Sequence, residues 1–580
     1  MRIGRIDINP ARNPAVLDTG LWDENAAVGI VAAADAAYWR ALGGALRAGQ
    51  PLPRCPQLVA HGGSAAQSRG AWYVLASLSD DQYVLLEIGA PGGASVLGAP
   101  VAEFETAAGR VAAYRTDAAT LDRYGQCINP TKVPKALGAT PRLGIGVRMT
   151  TAVWPAVYEA MGRSRFAANS IQNSVRELEL LDNILAGRAP EAIYYPGFGT
   201  VQAGHTGSTF EGLWVYGVLE ALKSDRTFSY GADADHIKVA SGAEGMARAK
   251  QVLDAARYYT FYTLDVSGVL DYHALRADSA SAAETLLSAR IAAPRDRADV
   301  LAWHMEKRQI AGFAYAPDAA TVGRLVGKYW ASFDAAQAMT DHIRRLKNGR
   351  AFDLEFAIDE RTAEIATGDC ITTSDEVVFV LLELQRRGVP VTHLAPNFGV
   401  EKSVDYRIAD GLAGLEARVR QQHRIAESFG VMLDFHSGDD LSATTRRVIG
   451  RATDGRNHFK ISPMPQILFA ETLRDLEPEL FRRWWDETMA YARREAAGGS
   501  AFAAECVREF EAVATQPSPS DIIFHNFGFA FVGQRDAAGQ YVNREALYSL
   551  PQRLYDEYRK RITSYLCGLA QDLFGAAGAK

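Results

Sequence analysis

The sequence predicts an α/β protein: a closed (β/α)8 TIM-like barrel with a small N-terminal α+β domain and helical insertions. Three observations carry this. From Pro141 onward, short apolar segments alternate with amphipathic helical stretches, the rhythm of a parallel sheet covered on both faces. Eight such segments follow in series, which favours a closed barrel over an open sheet. Acids and histidines gather at the ends of the later segments, where such barrels carry their sites.

Residues 1–140 read as the N-terminal α+β domain. There "AWYVLASLSDDQYVLLEIGAP" gives two strands across a polar turn, "GRVAAYRTD" a third, and "AAYWRALGGALRAG" a helix. Residues 141–580 read as the barrel. Its strands are expected in "RLGIGV" (142–147), "FAANSI" (166–171), "TFSYGADADH" (227–236), "YTFYTLDVS" (259–267), "FDLEFAIDE" (352–360), "VTHLAPNF" (391–398), "VMLDFHSG" (431–438) and "NHFKIS" (457–462). Helices "SDEVVFVLLELQRRG" and "GLEARVRQQHRIAESFG" stop at Gly388 and Gly430, because glycine tolerates the left-handed turn that ends a helix. Two insertions interrupt the rhythm, at 190–214 and, mainly helical, at about 270–350. Long helices after Pro465 form a C-terminal cap, "DIIFHNFGFAFVG" (521–533) reads as a late strand, and the tail "LFGAAGAK" as frayed.

The totals narrow the function. A formal charge of −6 provides no basic excess for a phosphate backbone, which argues against a nucleic-acid partner. The five cysteines are scattered without a CxxC pair, as expected of reduced thiols in a cytoplasmic protein. The first residues lack an apolar signal core, and no window approaches 18 apolar residues without charge. Neither an export signal nor a membrane partner is expected. "LGIGVR" lacks a third glycine at the dinucleotide spacing, and neither GxxxxGK[ST] nor GxSxG occurs.

Strand parity selects the candidate site, because alternate side chains face the barrel interior. Strand three offers Asp233 and Asp235, with His236 beside them; strand four offers Asp265; strand five Glu355 and Asp359. Strand six offers His393 and Asn397, strand seven Asp434 and His436, strand eight His458 and Lys460. Ionised groups in a barrel interior are costly unless paired or bound to a metal. Carboxylates with imidazoles suit a divalent metal ion such as zinc, manganese, nickel or iron, although no HExxH-type spacing selects one. Each residue has a plainer reading. Asp233 and Glu355 either bind metal or pair with arginines. His436 and His458 either serve the site or hydrogen-bond in polar loops. Asp235 and Asp359 are either general bases or helix caps. Lys460 either holds a substrate anion or pairs with Asp434. His393 is expected to be a core histidine, His525 structural, and His205 with Glu211 a solvated loop rather than a lid.

At these residues the sequence resembles the tagaturonate epimerase family, enzymes that interconvert tagaturonate and fructuronate at carbon 4. The matching stretches are "GADADHI" (231–237), "LDVSG" (264–268), "LEFAIDE" (354–360), "HLAPNF" (393–398), "FHSGDD" (435–440) and "NHFKIS" (457–462), in similar order over about 140–535. Most specific is "FHSG" followed about twenty residues later by "HFK". Two stretches depart from the family's pattern. Val147 stands where its first strand carries an acid, and "SPMPQ" replaces a threonine–glycine segment after "HFK".

The resemblance implies a metal-dependent barrel enzyme acting on a small-molecule sugar acid, with a homo-oligomer compatible. Carbon 4 of a 2-keto hexuronate is not alpha to its carbonyl, so simple deprotonation there is implausible. Cleaving and remaking the bond between carbons 3 and 4, a retro-aldol/aldol sequence, needs a metal and an acid–base pair. On this reading Asp233, Glu355, His436 and His458 bind the metal. Asp235, Asp359 and His236 move protons, while Lys460, Asn397 and Asp265 hold substrate. Two other readings remain at this stage: a metal-dependent isomerase or aldolase of another ketose, and a sugar-acid binding protein without catalysis.

Overall fold

A computed structural model describes residues 2–3, 6–7, 22–89, 95–149, 151–173, 192–195, 199–202, 210–359, 368, 370–400, 405–436, 438–513, 516–534, 536–537 and 542–575. Eight parallel strands close a barrel in chain order. They are β1 (Arg142–Gly146), β2 (Ala167–Asn173), β3 (Tyr230–Lys238), β4 (Phe261–Asp265), β5 (Asp353–Ala357), β6 (His393–Ala395), β7 (Met432–Phe435) and β8 (Asn457–Ile461), with β8 pairing back onto β1. Every expected strand segment of the barrel is therefore present.

Outside the register shifts of β2 and β3, the strands divide their side chains between two faces. Leu143 and Ile145 of β1, Leu264 of β4, Phe356 of β5 and Leu433 of β7 point outward into one core shared with the surrounding helices. Helix Ser374–Arg386 begins with a capping box in which Thr373 and Glu376 satisfy each other's backbone N–H groups. It stops where Gly388 takes φ 67°, and helix Gly411–Ser428 stops before Gly430 at φ 73°.

The axis side is layered. At the amino end, Arg142 pairs with Asp353 at 3.0 Å, both buried, and Asp353 also accepts the backbone N–H groups of Leu137 and Gly138. Above them the Phe261 ring meets His393 and His458 edge-on, with centroids 4.8 and 5.2 Å away. Ionisable groups fill the next layers toward the carboxyl ends.

Preceding the barrel is a six-stranded antiparallel sheet that includes Ala71–Leu78, Tyr83–Ile88 and Gly109–Tyr114. Val74, Leu86 and Val111 pack beneath helices Glu24–Ala32 and Ala36–Ala48, while Tyr73, Leu85 and Tyr114 join the barrel's core. Arg350 to Asp122 at 2.9 Å and Lys132 Nζ to the carbonyls of Ser224 and Arg226 add polar ties.

The stretch between β4 and β5 contains helices Ala280–Arg290, Pro294–Met305 and Ala319–Lys347 and one small hairpin. The segment expected as a late strand, 521–533, is instead two short helices, Ile522–Phe527 and Phe529–Gly533. Its mostly apolar run, interrupted by His525 and Asn526, carries no clear periodicity to separate a buried strand from a buried helix. Asp521 decides locally by accepting the N–H of Ile523, and Phe524 and Phe531 then pack on Trp484. His525 lies on the first of these helices. Glu211 opens helix Phe210–Lys223 and lies 3.8 Å from Arg257. His205 lies outside the described residues. Among the described residues no cysteine is disulfide-bonded, and no helix is long and apolar enough to cross a membrane.

Candidate active site

The carboxyl ends of β3 to β8 bring the predicted groups together in two tiers. The deep tier holds Asp233, Glu355, Asp434, His458 and Lys460, all buried. Lys460 Nζ stands at its centre, 2.6 Å from Glu355 Oε2, 3.0 Å from Asp235 Oδ1, 3.2 Å from Asp233 Oδ2 and 3.8 Å from Asp434 Oδ2. It also donates to Thr263 Oγ1 at 2.7 Å. Four acids around one ammonium reverse its desolvation cost. Burial alone would lower the lysine's pKa, but these carboxylates raise it well above the ordinary value.

The acids divide in response. Burial pushes Asp233 up to about 7 and Asp434 well above the carboxylate range. Burial also opposes ionisation of Glu355, yet Lys460 and His436 hold it well below that range. Two neighbouring histidines follow burial: desolvation holds His458 and His393 well below the usual imidazole pKa, with Lys460 and Arg142 reinforcing it. The Nδ1 of His458 lies 2.6 Å from Asp434 Oδ2.

The mouth tier is more open. Asp235, His236 and Asp359 are partly exposed, at 14%, 18% and 18% of their side-chain surface, against 0% for Asp233, Glu355, Asp434 and His458. His436 links the tiers. Its Nε2 lies 2.6 Å from Glu355 Oε1 and its Nδ1 3.0 Å from Asp359 Oδ2. Burial disfavours charge on this ring, but Asp359 and Glu355 raise its pKa well above the usual value. Asp235 lies 2.9 Å from His236 Nδ1; burial would raise its pKa, but His236 and Lys460 draw it below the carboxylate range. A register shift in β3 between Ala234 and Ile237 sets His236 at φ 54°, a left-handed conformation that non-glycine residues seldom take. It brings the His236 ring to 5.0 Å from that of His436.

The donor set fits a small divalent cation. Glu355, Asp434 and His458 each offer a ligand atom, all within 4.8 Å of one another, and Asp434 Oδ1 is buried without a hydrogen bond. Of the four residues expected to bind metal, Glu355 and His458 belong to this group. Asp434 joins them, His436 is engaged between two carboxylates, and Asp233 faces Lys460. The lysine meets the acids rather than open space. Asp265 and Asn397 serve their own loops: Asp265 Oδ1 accepts from Ser267 N and Oγ, and Asn397 Oδ1 accepts from Gly399 N. His393 is wholly buried among rings, as a core histidine should be.

Two participants escape a search for charge. Thr263 links Lys460, Asp233 and Glu355, and Gln172 Nε2 donates to Asp235 Oδ2 at 3.1 Å. Parity points to Thr263, two residues before Asp265. Gln172 lies just beyond a register shift in β2, where parity fails.

Comparison with known proteins agrees with this architecture. The profile of the tagaturonate epimerase family matches residues 110–566. A tagaturonate/fructuronate epimerase from Thermotoga maritima is 28% identical over 258 residues, 44% of this chain and 48% of that protein, so the match spans about half the relative's length. A glycerol-complexed crystal structure of fructuronate-tagaturonate epimerase from Cohnella laeviribosi superposes with TM-score 0.65 at 21% identity, covering 92% of this chain and 98% of that one. Its native form gives 0.64 at 20% identity, covering 90% and 97%. At these identities the two structures establish the shared fold.

Proposed function

The chain belongs to the tagaturonate epimerase family, and from that premise we propose that it interconverts tagaturonate and fructuronate by inverting carbon 4. The observation that carries the proposal is the two-tier arrangement. A sealed group of carboxylates and imidazole lies beneath partly exposed proton-transfer groups, at the carboxyl ends of the barrel strands.

Inversion by cleavage uses both tiers. A mouth carboxylate takes the 4-hydroxyl proton, the bond between carbons 3 and 4 breaks, and its electrons pass into the ketone to give an enediolate and an aldehyde. The aldehyde turns about its single bond, carbon 3 re-adds to the opposite face, and the new alkoxide is protonated. The alkoxide points opposite ways in the two epimers, so two acid–base groups suit the reaction. Asp235 on β3 serves one and Asp359 after β5 the other, each partnered by a histidine. Both exchange protons with solvent at the mouth. Lys460 keeps the deep acids in place by pairing with them. Glu355, Asp434 and His458 would hold a divalent cation, whose chemistry when bound is to polarise the ketone and stabilise charge developing on its oxygen.

The test is chelation followed by refilling with zinc, manganese, nickel or iron, assayed as fructuronate formed from tagaturonate. Conversion that disappears with the metal and returns with one of these ions supports the reading. Full activity in metal-free protein overturns the metal requirement, and no conversion with any ion overturns the substrate assignment.

A further inference from the structure

Asp235 moves a proton in the reaction proposed above, and its two carboxylate oxygens are not equivalent. Oδ1 stands 2.9 Å from His236 Nδ1 and accepts from Lys460 Nζ at 3.0 Å. A carboxylate oxygen has two lone-pair directions, and these contacts use both. Among the described residues Oδ2 meets a single partner, the Gln172 amide, whose Nε2 donates to it at 3.1 Å. The lone pair left to take a proton is therefore on Oδ2, and the amide sets the direction in which that oxygen faces.

Regular alternation along β2 would turn Gln172 away from this site. Asn169 faces the axis, its Nδ2 3.5 Å from His458 Nε2. The next two residues both face outward: Ser170 Oγ lies 3.2 Å from the Tyr158 hydroxyl, and Ile171 packs in the outer core. Gln172 returns to the axis because β2 shifts register after Asn169 against both of its neighbours. Irregularities of this kind re-aim side chains beside active sites. Gly144 on β1 leaves room for the carboxamide, since a Cβ there would lie 2.7 Å from Gln172 Oε1. An ionised carboxylate only accepts, so Nε2 must face Asp235 and Oε1 must point away. Gln172 is buried, and Oε1 has no hydrogen bond. An apolar side chain would fill the position without that desolvation cost, so what the carboxamide contributes is its donor.

We propose that Gln172 is a positioning residue that directs Asp235 Oδ2 at the sugar's 4-hydroxyl and makes that oxygen the one that exchanges the proton. The proposal rests on the epimerase reading. The 4-hydroxyl proton of one epimer passes to Oδ2 in one direction of the reaction and returns from it in the other. Gln172 acts through Asp235, so its removal is read in turnover rather than in substrate binding.

The test is a double-mutant cycle on the full-length, metal-replete protein with tagaturonate: wild type, Gln172→Met, Asp235→Asn and the two changes combined. Gln172→Met is expected to lower kcat by about tenfold or more and to move KM by less than about threefold, with bound metal unchanged by elemental analysis. In the Asp235→Asn background the same change should cost less than about threefold. Gln172→Asn, which keeps the amide but is one methylene too short to reach Oδ2, should repeat the loss of kcat and serves if the methionine variant does not fold. Wild-type kcat in Gln172→Met, an equal loss in both backgrounds, loss of metal, or a raised KM with kcat unchanged would each overturn the proposal. The last would make the amide a contact of the sugar instead. An active wild type with unaltered variants overturns this inference alone, whereas a wild type that forms no fructuronate overturns the epimerase reading and this inference with it.

Discussion

Lys460 Nζ lies 2.6 Å from Glu355 Oε2 on the axis of the barrel, both side chains buried. The pair organises the site: against the cost of burial, Lys460 with His436 lowers the pKa of Glu355, and Asp233, Asp235 and Glu355 together raise that of Lys460. Replacing Lys460 with methionine leaves Glu355 and its neighbouring acids without their cation. The expected loss is about 3–5 kcal/mol of stability, as for other broken buried pairs. Denaturant unfolding at pH 7 measures it, and a change below about 1 kcal/mol would show that the acids do not depend on this lysine.

The two tiers predict two kinds of defect. Asp434→Asn and His458→Ala should lose bound metal and activity together. Asp235→Asn should keep its metal and lose about a hundred- to ten-thousandfold in kcat. Elemental analysis beside steady-state kinetics separates them; metal loss in Asp235→Asn would merge the tiers.

His436 bridges Glu355 and Asp359, so its removal tests the link between tiers. His436→Ala should abolish turnover, with kcat down at least a hundredfold. Retention of both full metal content and full activity would remove His436 from the reaction.

The barrel floor is a matter of stability alone. Asp353→Asn keeps the shape of the side chain but removes the charge facing Arg142. Unfolding free energy should fall by about 3 kcal/mol, while kcat per folded molecule stays near wild type. A large fall in kcat with stability unchanged would contradict this.

Lys347 gives the pH dependence a sign. Burial lowers its pKa to about 7, and its Nζ donates to the carbonyls of Arg257 and Tyr259. Between about 7 and the ordinary 10.5 the unfolded chain binds more protons at this site than the folded one. Its contribution is therefore complete above 10.5 and is lost as pH falls through about 7. The stability difference between wild type and Lys347→Met should shift in favour of wild type from pH 7 to pH 9, as read by urea unfolding at both. A pH-independent difference would place the lysine's titration outside this range.

The strands were legible because each joins an outward apolar row to an axis row ending in polar residues, as "VMLDFHSG" does with Leu433 outside and Asp434 and His436 inside. Parity from such rows placed Asp233, Glu355, Asp434 and His458 on one axis. It did not reveal which acid meets which cation. Lys460 is long enough to reach four strands, so its partners depend on three-dimensional closure. The β2 and β3 irregularities were invisible, because a register shift leaves composition unchanged while redirecting Gln172 and His236. The 521–533 segment failed differently: a buried helix and a buried strand share the same mostly apolar composition, and packing on Trp484 accompanies the helical choice.

The most direct test of the central claim is proton NMR of the metal-replete protein with tagaturonate in deuterated water. Cleavage and re-addition between carbons 3 and 4 never break the carbon 4–hydrogen bond, so fructuronate should appear with its carbon 4 proton retained. Fructuronate carrying deuterium at carbon 4 would contradict the mechanism, and no fructuronate at all would contradict the function.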